Sequence, residues 1–327
     1  VITALFVLRR ILSALLLLAL VLSATFFLIH LAPGDPTTLL AVDPRVPPEH
    51  RQRLLELYGL DQPLGVQYLR WLEAVALHGD WGRSYSLGRP VTEILAESLP
   101  NTVWLVCGTL LVQYGFGLLL GIAAATRRDG LLDHQIRAVS LLLFALPSFW
   151  LALMAIEGLS VRLDLFPASG MRSLDADVLP AVVRLADRLH HLALPALVLG
   201  LSGCGQIARL VRNGLIEVLS QDYVRAARAR GLSPGRVLWV HALPNALGPV
   251  VQGFGVVLPS LLSGALIIEA IFAWPGVGRV AYRAILSRDY PMVLATTALA
   301  AALVVLGSLL ADLLHAWLDP RVRESHA

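Results

Sequence analysis

Six long apolar runs limit what this chain can fold into: Ile11 to Ala32, Ser98 to Thr126, Ala138 to Ser160, Leu192 to Arg212, Ala246 to Ile271 and Pro291 to Ala311. Each approaches or exceeds the length of about 20 residues that a helix needs to cross a bilayer. Lipid offers no hydrogen-bonding partners, so backbone groups in such runs must be satisfied internally, and the helix does this within one segment. Composition agrees. Only 15% of residues are charged and 57% are hydrophobic, with mean hydropathy +0.70, against roughly a quarter charged in soluble domains. The expected fold class is an all-α integral membrane protein with six transmembrane helices. Arg9 and Arg10 precede the first run as they would in a signal peptide. The run exceeds a signal core, however, and no small-residue cleavage site follows, so it reads as an uncleaved first span.

The breaks between runs are equally informative. Pro33-Gly34-Asp35-Pro36 stops the first helix. The chain is then polar to Glu97, with a short amphipathic helix at Val66 to Leu77 whose Trp71, Leu72 and Val75 share one side. Pro147 is expected to kink the third span. Trp274-Pro275-Gly276 must break the chain after the fifth. Gln113, Tyr114, Gly115 and Gly117 either line a path or pack, with packing the better reading for the glycines; Gly200, Gly203 and Gly205 permit close helix contact. Glu157 and Glu269 fall near outer span ends, where Glu157 reads as solvated. Cys107 and Cys204 read as small core residues without a disulfide. His190 and His191 are adjacent, about 100° apart on a helix, and cannot chelate as an i, i+4 pair does. No metal and no cofactor are expected.

Much chemistry is excluded. All 26 basic residues are arginine, so a P-loop, which places a lysine on the nucleotide phosphates, is impossible, as is Schiff-base chemistry. HExxH is missing and no clustered acid pair is evident, which weighs against a membrane enzyme. No basic tract with interleaved aromatics suggests nucleic acid. If ATP drives this protein, another chain hydrolyses it.

One polar stretch stands out between the fourth and fifth runs: Ser220 to Val250, SQDYVRAARARGLSPGRVLWVHALPNALGPV. Ser220 or Asp222 can N-cap a short helix, Ala226, Ala227 and Ala229 favour it, and Gly231 is the expected left-handed C-terminal residue. Ser233 and Pro234 then read as N-cap and first residue of a second helix. Physics alone leaves two readings. The stretch is a solvated amphipathic connector, or a docking knob whose alanines admit close approach and whose Arg225, Arg228 and Arg230 offer planar donors to carboxylates. The arginines also orient the chain. With both termini, the 127–137 loop and the 209–241 loop in the cytoplasm, that side holds 13 arginines. The other side holds 7 once the long 33–97 loop, exempt by its length, is set aside.

Residues 220–250 resemble the EAA loop of binding-protein-dependent ABC importer permeases, in the variant of the oligopeptide, dipeptide and nickel branch. LAPGDP after the first span, Tyr58 to Leu95, FPASGM, the segment Ile267 to Ala295 and LDPRVR at Leu318 to Arg323 resemble the same branch. One departure is Arg225, which stands where the motif has its glutamate. The resemblance implies a permease subunit without an ATPase site, in a bacterial or archaeal plasma membrane. It pairs with a second homologous permease, two ATP-binding cassette subunits, an external solute-binding protein and lipid. It assigns coupling to the ATPase to Asp222, Tyr223, Arg225, Ala226, Ala227, Arg228, Arg230 and Gly231. Its organisation would be residues 1–97 (first span and external segment), 98–320 (five-helix core with a coupling loop at about 216–245) and 321–327 (cytoplasmic tail). Peptides are the implied solute, with nickel or another small solute second. The absence of buried charge chains and of internal repeats weakens a secondary transporter.

Overall fold

The structure, a computed structural model, describes residues 4–33, 36, 52–53, 55–56 and 58–318. Gly34 and Asp35, most of the polar stretch after them, and the tail that begins with LDPRVR lie outside the described residues, apart from Leu318. The described residues are helical and contain no strand. In chain order the helices are α1 (Ala4–Leu31), α2 (Leu64–His78), α3 (Val91–Thr126), α4 (Leu131–Ala145), α5 (Ser148–Ala155), α6 (Ala181–Leu219), α7 (Asp222–Ala229), α8 (Gly248–Ile271), α9 (Val277–Ser287) and α10 (Tyr290–Leu318). Four stretches are long and apolar enough to cross a membrane: Leu12–Leu31, Val91–Thr126, Ala181–Leu219 and Tyr290–Ser308.

The third expected span is corrected. Instead of one kinked helix from Ala138 to Ser160, α4 and the helical segment Ser148–Arg162 meet at a bend of 100°. Leu146 is extended (φ −81°, ψ 134°), as the residue before a proline prefers, and Pro147 brings no N–H to continue α4. The segment after α5 widens into a π-helix over Ile156–Arg162. α6 also outruns its expected start at Leu192, running unbroken through Pro195 for 39 residues.

The chain divides into two compact units. The larger comprises mainly Thr102–Pro275, and α6 is its axis, with α3, α4, α5 and α8 packed around it. Glycines let α3 and α6 nearly touch. A Cβ on Gly117 would lie 2.6 Å from Ile207 Cβ, one on Gly121 2.7 Å from the Ala208 carbonyl oxygen, and one on Gly200 2.5 Å from Val112 Cγ1. Gly203 abuts Gln113 and Gly205 abuts Ser140 equally closely, so the glycine spacing serves close helix packing. Gly115 differs: nothing lies within 4 Å of its missing Cβ. Cys204 is buried, but Cys107 is exposed on the surface of α3, which corrects its expected place in the core. Glu269, placed by sequence merely near a span end, is sealed from solvent and accepts a 2.7 Å hydrogen bond from Thr102 Oγ1.

The smaller unit holds residues 4–101 and 276–303. Asp289, fully buried just before α10, accepts from Ser84 Oγ, from the Ser86 N–H at 3.1 Å and from Ser86 Oγ at 2.8 Å. These bonds hold the 80–90 turn, and Tyr85 with it, beside Tyr290. Burial, then the Asp289 carboxylate, pushes the Tyr85 phenol well above its usual range, so it stays protonated.

Candidate functional site

The stretch singled out in the sequence forms a protruding knob in the larger unit. α7 starts at Gln221, which caps it without a side-chain bond. Neither expected cap serves: Ser220 Oγ instead donates to the Glu217 carbonyl at the end of α6 (2.6 Å), and Asp222, already inside the first turn, pairs with Arg225. The acidic residue still sits where the helix dipole favours it. At the other end Gly231 takes φ +82°. Its N–H donates to the Arg228 carbonyl at 2.9 Å and the Leu232 N–H to that of Ala227, closing α7 as a left-handed glycine is expected to. Ser233 does cap the next turn, accepting from the Arg236 N–H, with Pro234 first in that helix. Helix Pro234–Arg236 passes at once into a π-helical turn, Val237–Ala242, because Pro244 offers no N–H to the Val240 carbonyl.

A single side chain of α7, Val224, is fully buried and anchors it. Tyr223, Arg225, Ala226, Arg228 and Arg230 are exposed and Ala227 is half-buried. Arg225 is occupied by Asp222 one turn back, which leaves Arg228 and Arg230 without an ion pair among the described residues. Beyond them Trp239 and Val240 are 55% and 59% exposed. The chain returns to α6 at Leu243–Ala246, where Gly214 admits the backbone so closely that a Cβ there would stand 2.6 Å from the Ala246 carbonyl oxygen. Ile207, Val211, Leu215, Ala242, Leu243, Ala246 and Val250 form one buried cluster beneath. The knob therefore carries an exposed cationic and aromatic tip on a base packed closely against α6.

Sequence reasoning missed a second element of this site. Arg212, ten residues before α7, donates from Nε to Asp133 Oδ1 at 2.7 Å and from Nη2 to Oδ2 at 2.6 Å. The Asp129 N–H adds 3.0 Å and Arg137 stands at 3.5 Å. Asp133 is wholly sealed and Arg212 only 14% exposed, so this is a bidentate charge-assisted clamp between α4 and α6. Nothing in the sequence pairs the two residues, since 79 positions separate them. The two histidines are accounted for locally: His190 Nε2 lies 2.9 Å from the Leu165 carbonyl, and His191 Nδ1 2.9 Å from that of Asp187. The described residues hold no cluster of three or more potential metal ligands. Glu157 is exposed and paired with Arg162 at 3.0 Å, as a solvated residue would be.

These features define a helical membrane subunit with an exposed polar element packed against its central helix. The same fold occurs in structures of an inward-facing MetNI methionine ABC transporter. Two of its crystal forms align with TM-scores of 0.56 and 0.57 at 19% and 18% identity, over 69% and 70% of this chain and 96% and 97% of that one. The chain belongs to the binding-protein-dependent transport system inner membrane component family, which matches residues 117–324, and the companion N-terminal component matches residues 3–106. Among its relatives is the oligopeptide transport system permease protein AppB of Bacillus subtilis, 38% identical over 98% of this chain and 99% of its own. Another is the di/tripeptide transport system permease protein DppB of Pseudomonas aeruginosa, 40% identical over 91% and 93%. The dipeptide permease DppB of Escherichia coli is 36% identical over the same shares. The chain is therefore a bacterial inner-membrane permease subunit of an ABC importer. It carries no ATPase site of its own and works with ATPase subunits and a binding protein.

Proposed function

We propose that this permease passes short peptides, delivered by an external binding protein, across the membrane beside a second, homologous permease in a lipid bilayer. Relatives named for oligopeptide, di/tripeptide and dipeptide transport across nearly the whole chain support the solute. Nickel is the weaker reading, because the adjacent histidines are spent on backbone carbonyls.

The coupling element is residues 220–250, and the observation that carries this is a knob exposed at its tip yet locked to α6 at its base. Asp222, Tyr223, Arg225, Ala226, Ala227, Arg228, Arg230 and Gly231 seat against the ATPase, with Arg228 and Arg230 facing its carboxylates. ATP binding draws the ATPase dimer together, the knob follows, and the Asp133–Arg212 clamp passes the displacement from α6 to α4. Each partner must bind the two states of the permease with different affinity for this to do work.

The membrane topology is six spans: α1, α3, the bent α4–α5 pair, α6, α8 and α10, with both termini and the knob in the cytoplasm. Arginine distribution supports it. The first span with its external segment (1–97), the core (98–320) and the tail (321–327) are the working divisions.

The test is ATP hydrolysis by the reconstituted complex with its binding protein loaded with a peptide mixture or with Ni(II). Stimulation by peptide alone is expected. Stimulation by nickel alone would overturn the solute, and failure of any ATPase to assemble would overturn the coupling element.

A further inference from the structure

The smaller unit contains a cavity of about 400 Å³, within the range of about 300–1,000 Å³ typical of small-molecule sites. It opens among α2, the 80–90 turn and the ends of α1 and α10. Some of the aromatics here pack on one another: Tyr58 stacks on Tyr85 with centroids 4.0 Å apart, and Phe26 lies 5.4 Å from Trp71. The same rings also line the open volume together with Trp81 and Tyr290.

Two polar features are not explained by packing. The Trp71 indole N–H is buried without a hydrogen-bond partner among the described residues, although a buried indole N–H normally finds an acceptor. Arg70 and Glu56 line the same cavity, and neither forms an ion pair with the other or with another described residue. Asp80 lines it too, one of its oxygens held by the Gly82 N–H at 2.8 Å. A wall of rings, a donor in want of an acceptor, a free guanidinium and separate carboxylates call for a ligand that is apolar in the middle and oppositely charged at its ends.

We propose that this cavity is a binding site for a short zwitterionic peptide bearing an aromatic or large apolar side chain. Arg70 and the Trp71 N–H take its carboxylate, Glu56 or Asp80 its ammonium, and the rings of Trp81, Tyr58 and Tyr85 its side chain. A guanidinium fork suits a carboxylate, aromatic faces attract cations as well as apolar groups, and both gain from partial desolvation. This rests on the peptide-permease reading and on its topology, which puts the segment outside the membrane. The permease then holds peptide at its outer face, apart from the site on the binding protein.

The test uses the permease–ATPase complex in nanodiscs, without binding protein, titrated calorimetrically with Ala-Phe and with N-acetyl-Ala-Phe-amide. Saturable binding of the free dipeptide is expected, with the blocked one failing to compete. Arg70→Gln, an exposed change that spares the fold, is expected to weaken binding about ten-fold by removing a charge-assisted pair. Glu56→Gln combined with Asp80→Asn should weaken it comparably. Equal binding of the blocked dipeptide, unchanged affinity in Arg70→Gln, or no binding at millimolar peptide would each overturn the site. Peptide-stimulated ATP hydrolysis with the loaded binding protein, measured on the same complex, separates the two claims. Stimulation without cavity binding removes this site alone, whereas Arg70-dependent binding without stimulation removes the transport reading alone.

Discussion

At Gly231 the backbone, not the space around it, decides what a side chain costs. Its φ of +82° lies in the left-handed region, yet nothing stands within 4 Å of where a Cβ would be. A substitution there meets no neighbour and is penalised only by conformation, about 1–2 kcal/mol for an ordinary L-residue and more for a β-branched one. Gly231→Val is expected to insert and accumulate normally but to lose peptide transport, because α7 can no longer end where it does. Gly231→Asn, which tolerates that region, should keep most of the activity. Full transport by the valine variant would remove the coupling assignment. Asp133 presents the opposite case, a residue fixed by its partners. Asp133→Asn leaves the buried end of Arg212 and the partly exposed Arg137 facing a neutral amide. The clamp sits at the end of its helix, where solvent screens part of the charge, so a loss of about 2 kcal/mol is expected rather than the larger cost of a deeply buried pair. Thermal unfolding of the solubilised complex should report it, with fewer peptides moved per ATP. Adding Arg212→Gln should restore part of the stability but not the ratio, since the unpaired charge goes and the α4–α6 link stays broken.

Among the elements, the α3–α6 seam is where small residues do what charge does at the clamp. Two glycines six positions apart on α3 make the point. At Gly121 a methyl group would meet the Val211 Cβ at 2.6 Å and the Ala208 carbonyl oxygen at 2.7 Å, and a backbone oxygen cannot swing aside. Gly121→Ala is therefore expected to destabilise by about 1–3 kcal/mol, as overpacking does. Gly115→Ala meets nothing within 4 Å and should be neutral or slightly favourable through helix propensity. Paired melting curves of the two variants decide it, and equal behaviour would mean that α3 and α6 are not in this contact. Long spans, the packing role of the closely spaced glycines and the left-handed Gly231 were legible because each follows from residues close in sequence. The 100° break at Pro147 was half legible: a proline announces a disturbance, but how far a helix bends depends on what it packs against. The Asp133–Arg212 clamp and the cavity around Trp71 were not legible, since both join segments far apart whose charges and rings look ordinary one at a time. The caps show the same limit at short range, where Ser220 turned back to α6 and left α7 to start at Gln221.

At the scale of the whole molecule, the bent pair decides which side of the membrane each surface faces. Large apolar side chains cover much of α1, with Leu12, Leu16, Leu20 and Leu28 more than half exposed, and Leu111 and Leu119 do the same on α3. Lipid is the medium that makes such exposure favourable. Between the turn at Asp80 and the knob at Arg228 lie α3, the α4–α5 pair and α6. If the pair crosses as one broken span, three crossings separate the two positions and they face opposite sides. If the pair folds back as a re-entrant hairpin, two crossings separate them and they share a side. The native thiols are first removed by Cys107→Ala and Cys204→Ala, which are small changes at an exposed and a buried position. Asp80→Cys and Arg228→Cys, both at exposed residues, are then introduced one at a time. With a membrane-impermeant maleimide added to spheroplasts, Asp80→Cys is expected to label at once and Arg228→Cys only after permeabilisation. The reverse pattern would invert the molecule and carry the knob away from ATP, ending its role in coupling. Labelling of both from outside would leave the arginine distribution unexplained and make the α4–α5 bend a hairpin. Labelling of neither until permeabilisation would also make it a hairpin, would keep the knob in the cytoplasm, and would leave the cavity beside Trp71 on the wrong face to meet an incoming peptide.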